Sequence, residues 1–243
     1  MQKCVTAASF LLLAGCVSHA PQLLDSGPPS VAIARTALSD GAPDVALNVS
    51  TSILGAHPAD QEALLVQADA FAALGRSREA EASYRGILAR NPASAAANRG
   101  LGRLLLASDP AAAETQFEQI TARDAHDAAA LNDLGIARDL QGRHADAQTA
   151  YHLALAAAPD LPAATANLAL SLSLSGHAAE AMQLLRPLGA APNAAQRLRF
   201  DLAAVETMAG NRQDAADLLK SDMQSEQLQA ALDGFAALSP TTP

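Results

Sequence analysis

Five glycines mark a beat along this chain. Gly41, Gly75, Gly142, Gly176 and Gly210 are separated by 34, 67, 34 and 34 residues, and Asp109 stands where the skipped glycine would fall. Five positions after each mark comes a small residue: Ala46, Ala80, Ala147, Ala181 and Ala215, with Ala113 one place early. Four further on stand Ser50, Tyr84, Phe117, Tyr151, Leu185 and Leu219. Pro58, Pro92 and Pro159 close three of the units, Pro192 closes another one place early, and Ala125 replaces the proline in the third. A recurrence of this length dictates architecture, because each unit must bury its apolar face against the next.

The period is that of a helical hairpin. Leu64, Gln67, Ala68 and Phe71 recur at helical spacing and predict a first helix with one packing stripe. Gly75 predicts its end, where a left-handed residue is easiest without a Cβ. A second helix is predicted through Ala80, Tyr84 and Ile87, the small residue admitting its partner closely while the large ones fill the space beside the neighbour. Pro92 cannot continue that helix and prepares the next unit. Half of the residues are hydrophobic, mostly Ala and Leu, with 3 % aromatic residues and no Trp, which favours helix over strand. Two departures stand out: the polar Ser50 in the first unit, and the shortened turn Ser108-Asp109-Pro110, which predicts a third hairpin packed at a different angle.

These marks resemble the tetratricopeptide repeat over residues 27–223. The resemblance implies an all-α, right-handed superhelical solenoid of six hairpins over 30–223. Leu228, Ala231, Leu232 and Phe235 then predict an amphipathic capping helix over 224–238, with a frayed tail at 239–243.

The N-terminus carries Lys3, then an apolar run from Val5 to Ala14, then Leu13-Ala14-Gly15-Cys16. That layout predicts a secretory signal over 1–15, too short to span a bilayer. The four residues ending at Cys16 look like a lipobox, which implies cleavage before Cys16 and acylation of its sulfur. A plain signal peptide with a chance cysteine, or a short buried helix, are the alternatives. Cys4 would be discarded, leaving no disulfide partner for Cys16. More than one acyl chain anchors durably. By analogy with enteric lipoproteins, Val17 favours the outer membrane, on its periplasmic face. Residues 16–29, with Pro21, Gly27, Pro28 and Pro29, read as a lipidated tether.

No chemistry-bearing constellation stands out. His19, His57, His126, His144, His152 and His177 form no metal-ligand pair, and there is no P-loop, dinucleotide fingerprint or nucleophile elbow. Most of the acidic residues read as solvated faces, with Asp133 and Asp139 making no obvious acid–base pair. A formal charge of −9 disfavours nucleic acid. No enzyme, cofactor, metal or small-molecule substrate is expected.

What remains is protein binding. The resemblance implies a concave surface lined by the first helix of each hairpin. In the first three hairpins that lining includes Arg35, Glu62, Asp69, Arg99 and Arg103, a mixed-charge set. In the last three it includes Ile136, Leu140, Leu170, Leu174, Phe200, Ala204 and Met208, with Asn132 and Asn167 placed to meet an extended backbone. An unpartnered apolar lining predicts a groove for a hydrophobic segment; tight winding or a folded-in capping helix would hide it.

Three segments narrow the resemblance: Leu131 to Arg143, Asn167 to Gly176, and Leu184-Leu-Arg-Pro-Leu188. They look like the TadD lipoproteins of the tight-adherence (Flp) pilus, most closely across 128–223. That implies a pilotin-like scaffold at the outer membrane, partnered by the secretin or other pilus-assembly components. A type IV pilus pilotin, or a scaffold recruiting periplasmic hydrolases or proteases, are the competing expectations.

Overall fold

A computed structural model describes residues 30–191 and 193–239; the expected signal over 1–15, Cys16, the expected tether over 16–29, Pro192 and 240–243 lie outside the described residues. Within them, the six hairpins are α1 (Val31–Ser39) with α2 (Pro43–Ala56), α3 (Gln61–Ala73) with α4 (Ser77–Arg90), and α5 (Ala95–Leu105) with α6 (Pro110–Thr121). Then come α7 (Ala128–Leu140) with α8 (His144–Ala157), α9 (Pro162–Leu174) with α10 (Ala178–Gly189), and α11 (Gln196–Met208) with α12 (Arg212–Leu219). α13 (Ser225–Ala237) follows. The described residues contain no strand.

The turn glycines act as their spacing implied. Gly41, Gly75, Gly142, Gly176 and Gly210 all have φ between 71° and 88°, with open space where a Cβ would sit. Backbone conformation, not crowding, therefore selects glycine. The third hairpin turns by another device. α5 stops at Leu105, the Asp109 carboxylate accepts from Ala112 N at 3.0 Å, and Pro110 opens α6 where its missing N–H is no loss.

The core follows the repeat. Ala46, Ala80, Ala113, Ala147, Ala181 and Ala215 are all fully buried, as are Phe117, Leu185 and Leu219, with Tyr84 and Tyr151 nearly so. A Cβ on Gly135 would lie 2.4 Å from the Tyr151 ring, so the aromatic fills the space a side chain would have taken. Ser50 is buried too, and its hydroxyl donates to Leu47 O at 3.0 Å, which satisfies the polar departure within its own helix.

Each helix packs on its chain neighbours. Beyond these, α1 packs on α3, α3 on α5, α7 on α9, and α9 on α11, whereas the second helices make no comparable contacts with one another. Helices on the inside of a bent stack approach most closely, so the first helices line the concave side. α5 and α7 lack such a packed contact, which is where the short third hairpin meets the fourth. α13 packs on α11 and α12, as another first helix would, and so covers the last hairpin rather than filling the groove.

Candidate functional site

The inner surface divides in two. In its C-terminal half, α7, α9 and α11 carry the predicted lining side by side. Leu140 is 55 % exposed, the one large apolar side chain of this set so open to solvent. Ile136 and Leu170 are half-buried against the core beneath α8, α9 and α10, while Leu174 and Met208 are half-buried. Ala204 is buried, and Phe200 packs with Ala203, Leu219, Leu228 and Leu232 in the cluster under α13. Asn132 is buried and its amide oxygen accepts from Asn167 Nδ2 at 2.9 Å, so the two asparagines engage each other across the α7–α9 seam. The apolar half is therefore a shallow surface centred on Leu140, with the other eight residues buried or half-buried.

Asp139, on the same face, is a hub. Its Oδ2 accepts from Tyr151 OH at 2.9 Å and its Oδ1 from Ser171 Oγ at 2.7 Å, with His144 Nδ1 2.8 Å away. Burial, and then the Asp139 charge, push the Tyr151 phenol far above its ordinary value, so it stays a donor. Asp201 on α11 sits 3.8 Å from Arg197; its Oδ2 is buried without a hydrogen-bond donor, and burial holds the carboxyl above the usual aspartate range.

The N-terminal half holds a cavity. It measures about 560 Å³ and is lined by Asp69 and Ala72 of α3, Tyr84 of α4, and Ala96, Arg99, Gly100, Arg103 and Leu104 of α5. Gly100 keeps it open against the Tyr84 ring, which a Cβ there would meet at 2.4 Å. Tyr84 OH donates to Asp69 Oδ1 at 2.5 Å. Asp69 is exposed to the cavity, yet enough protein surrounds it that burial raises its carboxyl, outweighing the Tyr84 hydrogen bond and the Arg35 charge. Both arginines are turned toward the fourth hairpin: Arg99 Nη2 donates to Asp127 Oδ2 at 2.6 Å, and Arg103 donates through Nε and Nη2 to the two oxygens of Asp133, at 2.8 and 3.2 Å. Arg35 and Glu62 meet at 3.4 Å on the surface.

Asp133 is an exception among the acidic residues expected on solvated faces: it is 3 % exposed. Glu114 of α6 is likewise buried, accepting from Arg138, Gln141 and Arg143, each at 2.8 Å. Partial burial would raise its carboxyl; those donors and the two guanidinium charges win, and it lies below the ordinary glutamate range. Sequence reading missed these partners. The available signal was complementary polar residues about one period apart: Arg99 and Asp127, Arg103 and Asp133, Asn132 and Asn167. Among the described residues no cluster of side chains suits a metal ion, and no helix is long and apolar enough to cross a membrane.

This fold places the chain among tetratricopeptide proteins. The family model for the tetratricopeptide repeat matches residues 31–86, 65–109 and 107–162, more than half the chain, and the protein belongs to that family. Among solved structures, PilW, described as a widely conserved type IV pilus biogenesis factor, is 24 % identical, with a TM-score of 0.73 over 83 % of this chain and 96 % of that one. Pseudomonas aeruginosa PilF is 16 % identical, with a TM-score of 0.68 over 85 % and 95 %. A tetratricopeptide repeat protein from Parabacteroides merdae is 18 % identical, with a TM-score of 0.68 over 85 % and 82 %. At these identities the likeness is one of fold. No curated protein sequence matches.

Proposed function

We propose that this protein is a lipid-anchored scaffold on the periplasmic face of the outer membrane that helps assemble a tight-adherence (Flp) pilus, as a pilotin-like partner of the secretin. It binds proteins and catalyses nothing. The observation that carries the reading is a fold shared with PilW over nearly the whole of that protein, joined to a lipobox-like N-terminus. The segments resembling TadD favour the tight-adherence apparatus. The likeness to PilW and PilF favours a second reading, a type IV pilus pilotin.

Acyl chains on Cys16 would hold the hairpins at the membrane, and residues 17–29 would let them reach about 40 Å at roughly 3.3 Å per residue. Tethering raises the local concentration of any membrane-bound client, so the shallow surface around Leu140 suffices for a weak contact. Replacing Cys16 by Ser should release the protein from the outer-membrane fraction and abolish piliation. Persistence of both would sink the anchor. Co-purification then separates the readings: tight-adherence secretin with the anchored protein supports the first, type IV secretin the second, and hydrolases alone would replace both.

A further inference from the structure

The cavity between α3 and α5 is left without a role by a reading centred on the C-terminal half. Its charges do not cancel within the chain. Arg99 is matched by Asp127 and Arg103 by Asp133. Asp69 makes no ion pair among the described residues; one of its oxygens takes the Tyr84 hydroxyl and the other takes nothing. The cavity thus presents one uncompensated carboxylate beside the small or apolar side chains Ala72, Ala96 and Leu104. That is the complement of a long cationic side chain, whose methylene stem lies on apolar walls while its head seeks an anion. The overall charge of −9 also draws basic segments toward the molecule.

We propose that this cavity receives one basic side chain, lysine or arginine, from a segment of a partner protein, its head on the free oxygen of Asp69 and its stem along Ala72, Ala96 and Leu104. The carboxylate, exposed to the cavity but partly shielded by the protein around it, gains a close counterion only when the partner arrives, which makes Asp69 a recognition group and not a stabilising one.

The test needs no knowledge of the partner and does not depend on the pilus role. Amide NMR spectra of the purified full-length chain are followed while three blocked alanine peptides are added, identical except for a central lysine, norleucine or glutamate. The lysine peptide should shift Asp69, Ala72, Ala96 and Leu104 saturably, and the other two should not. Asp69→Asn keeps an acceptor for Tyr84 while removing the charge, and should weaken the lysine peptide about tenfold, the scale of one charge-assisted hydrogen bond. Equal shifts with norleucine would make the cavity a plain apolar cleft. Preference for glutamate would hand recognition to the arginines. No shift with any peptide, or undiminished binding by Asp69→Asn, would likewise overturn the proposal.

Discussion

The seam between the third and fourth hairpins and the seam between the fourth and fifth are built from different forces. At the latter, α7 packs on α9, Leu131, Ala154 and Ala164 are buried together, and the polar contacts across it are between neutral donors and their acceptors, among them Asn132 with Asn167, Ser171 with Asp139 and Gln148 with Ser175. At the former, the outer side joins an apolar core, with Ala113, Phe117 and Ile120 of α6 against Ala130, Leu134 and Ala137 of α7, to the buried Glu114 with Arg138 and Arg143. The inner side is ionic: Arg99–Asp127 and Arg103–Asp133 span the place where α5 and α7 fail to pack. One short hairpin suffices to exchange a packed contact for a charged one. Packing is indifferent to ionic strength, whereas these half-buried guanidinium–carboxylate bridges weaken, though less than exposed pairs do, as salt shortens the screening length from about 8 Å to about 3 Å.

The largest effects should come from the buried aromatic at each seam, Phe117 at the former and Tyr151 at the latter. Phe117→Ala and Tyr151→Ala each empty a fully enclosed site and should cost about 3–5 kcal/mol in denaturant unfolding. A loss under about 1 kcal/mol at either would mean that hairpin does not share a core with its neighbour. Next, Asp133→Ala should cost about 2 kcal/mol, the scale of hydrogen bonds to a charged group. It should also widen the α5–α7 distance measured between spin labels. Wild type in high salt should widen in the same direction, and Ser171→Ala should leave that distance alone. Equal salt sensitivity of an α7–α9 distance would break the comparison.

Gly142→Ala should cost about 1 kcal/mol through its positive φ. Asp109→Ala should cost a similar amount by a different route, the loss of a helix cap. Acid provides a smaller, signed test. The Glu114 carboxyl is depressed in the fold, so its contribution is complete above the ordinary glutamate range and is lost as pH falls through and below it. Glu114→Gln should flatten that acid limb. Asp69 and Asp201 are raised, so their ionisation opposes folding and their protonation relieves it as pH falls. Asp201→Asn should therefore steepen the acid limb slightly, by removing that relief. Smallest of all, Leu140→Asp should leave stability within about 0.5 kcal/mol, as open surface positions do, while client co-purification falls.

The hairpins were legible in the sequence because each mark answers to a local rule. A glycine reports a backbone angle, an alanine a close approach, a large residue the volume behind it; the six buried alanines needed nothing else. The capping helix, with Leu228 and Leu232 buried, was readable for the same reason. The inner surface was less so, since its character depends on partners one period away. Asn132 looked like an open hydrogen-bonding group until Asn167 met it, and Phe200 like a groove residue until α13 arrived beside it. Tyr84 was read as filler between hairpins, yet its hydroxyl fixes one oxygen of Asp69 and leaves the other facing the cavity.

A stack whose members touch only those beside them has no distant support to fall back on. Each interface transmits folding to the next, and the thinnest one sets how far a local opening travels. The seam after α6 keeps its α6–α7 core but lacks a packed α5–α7 contact, so its concave edge can part while its outer side stays closed. A solution that strips ions from one another would therefore be felt first along that concave edge.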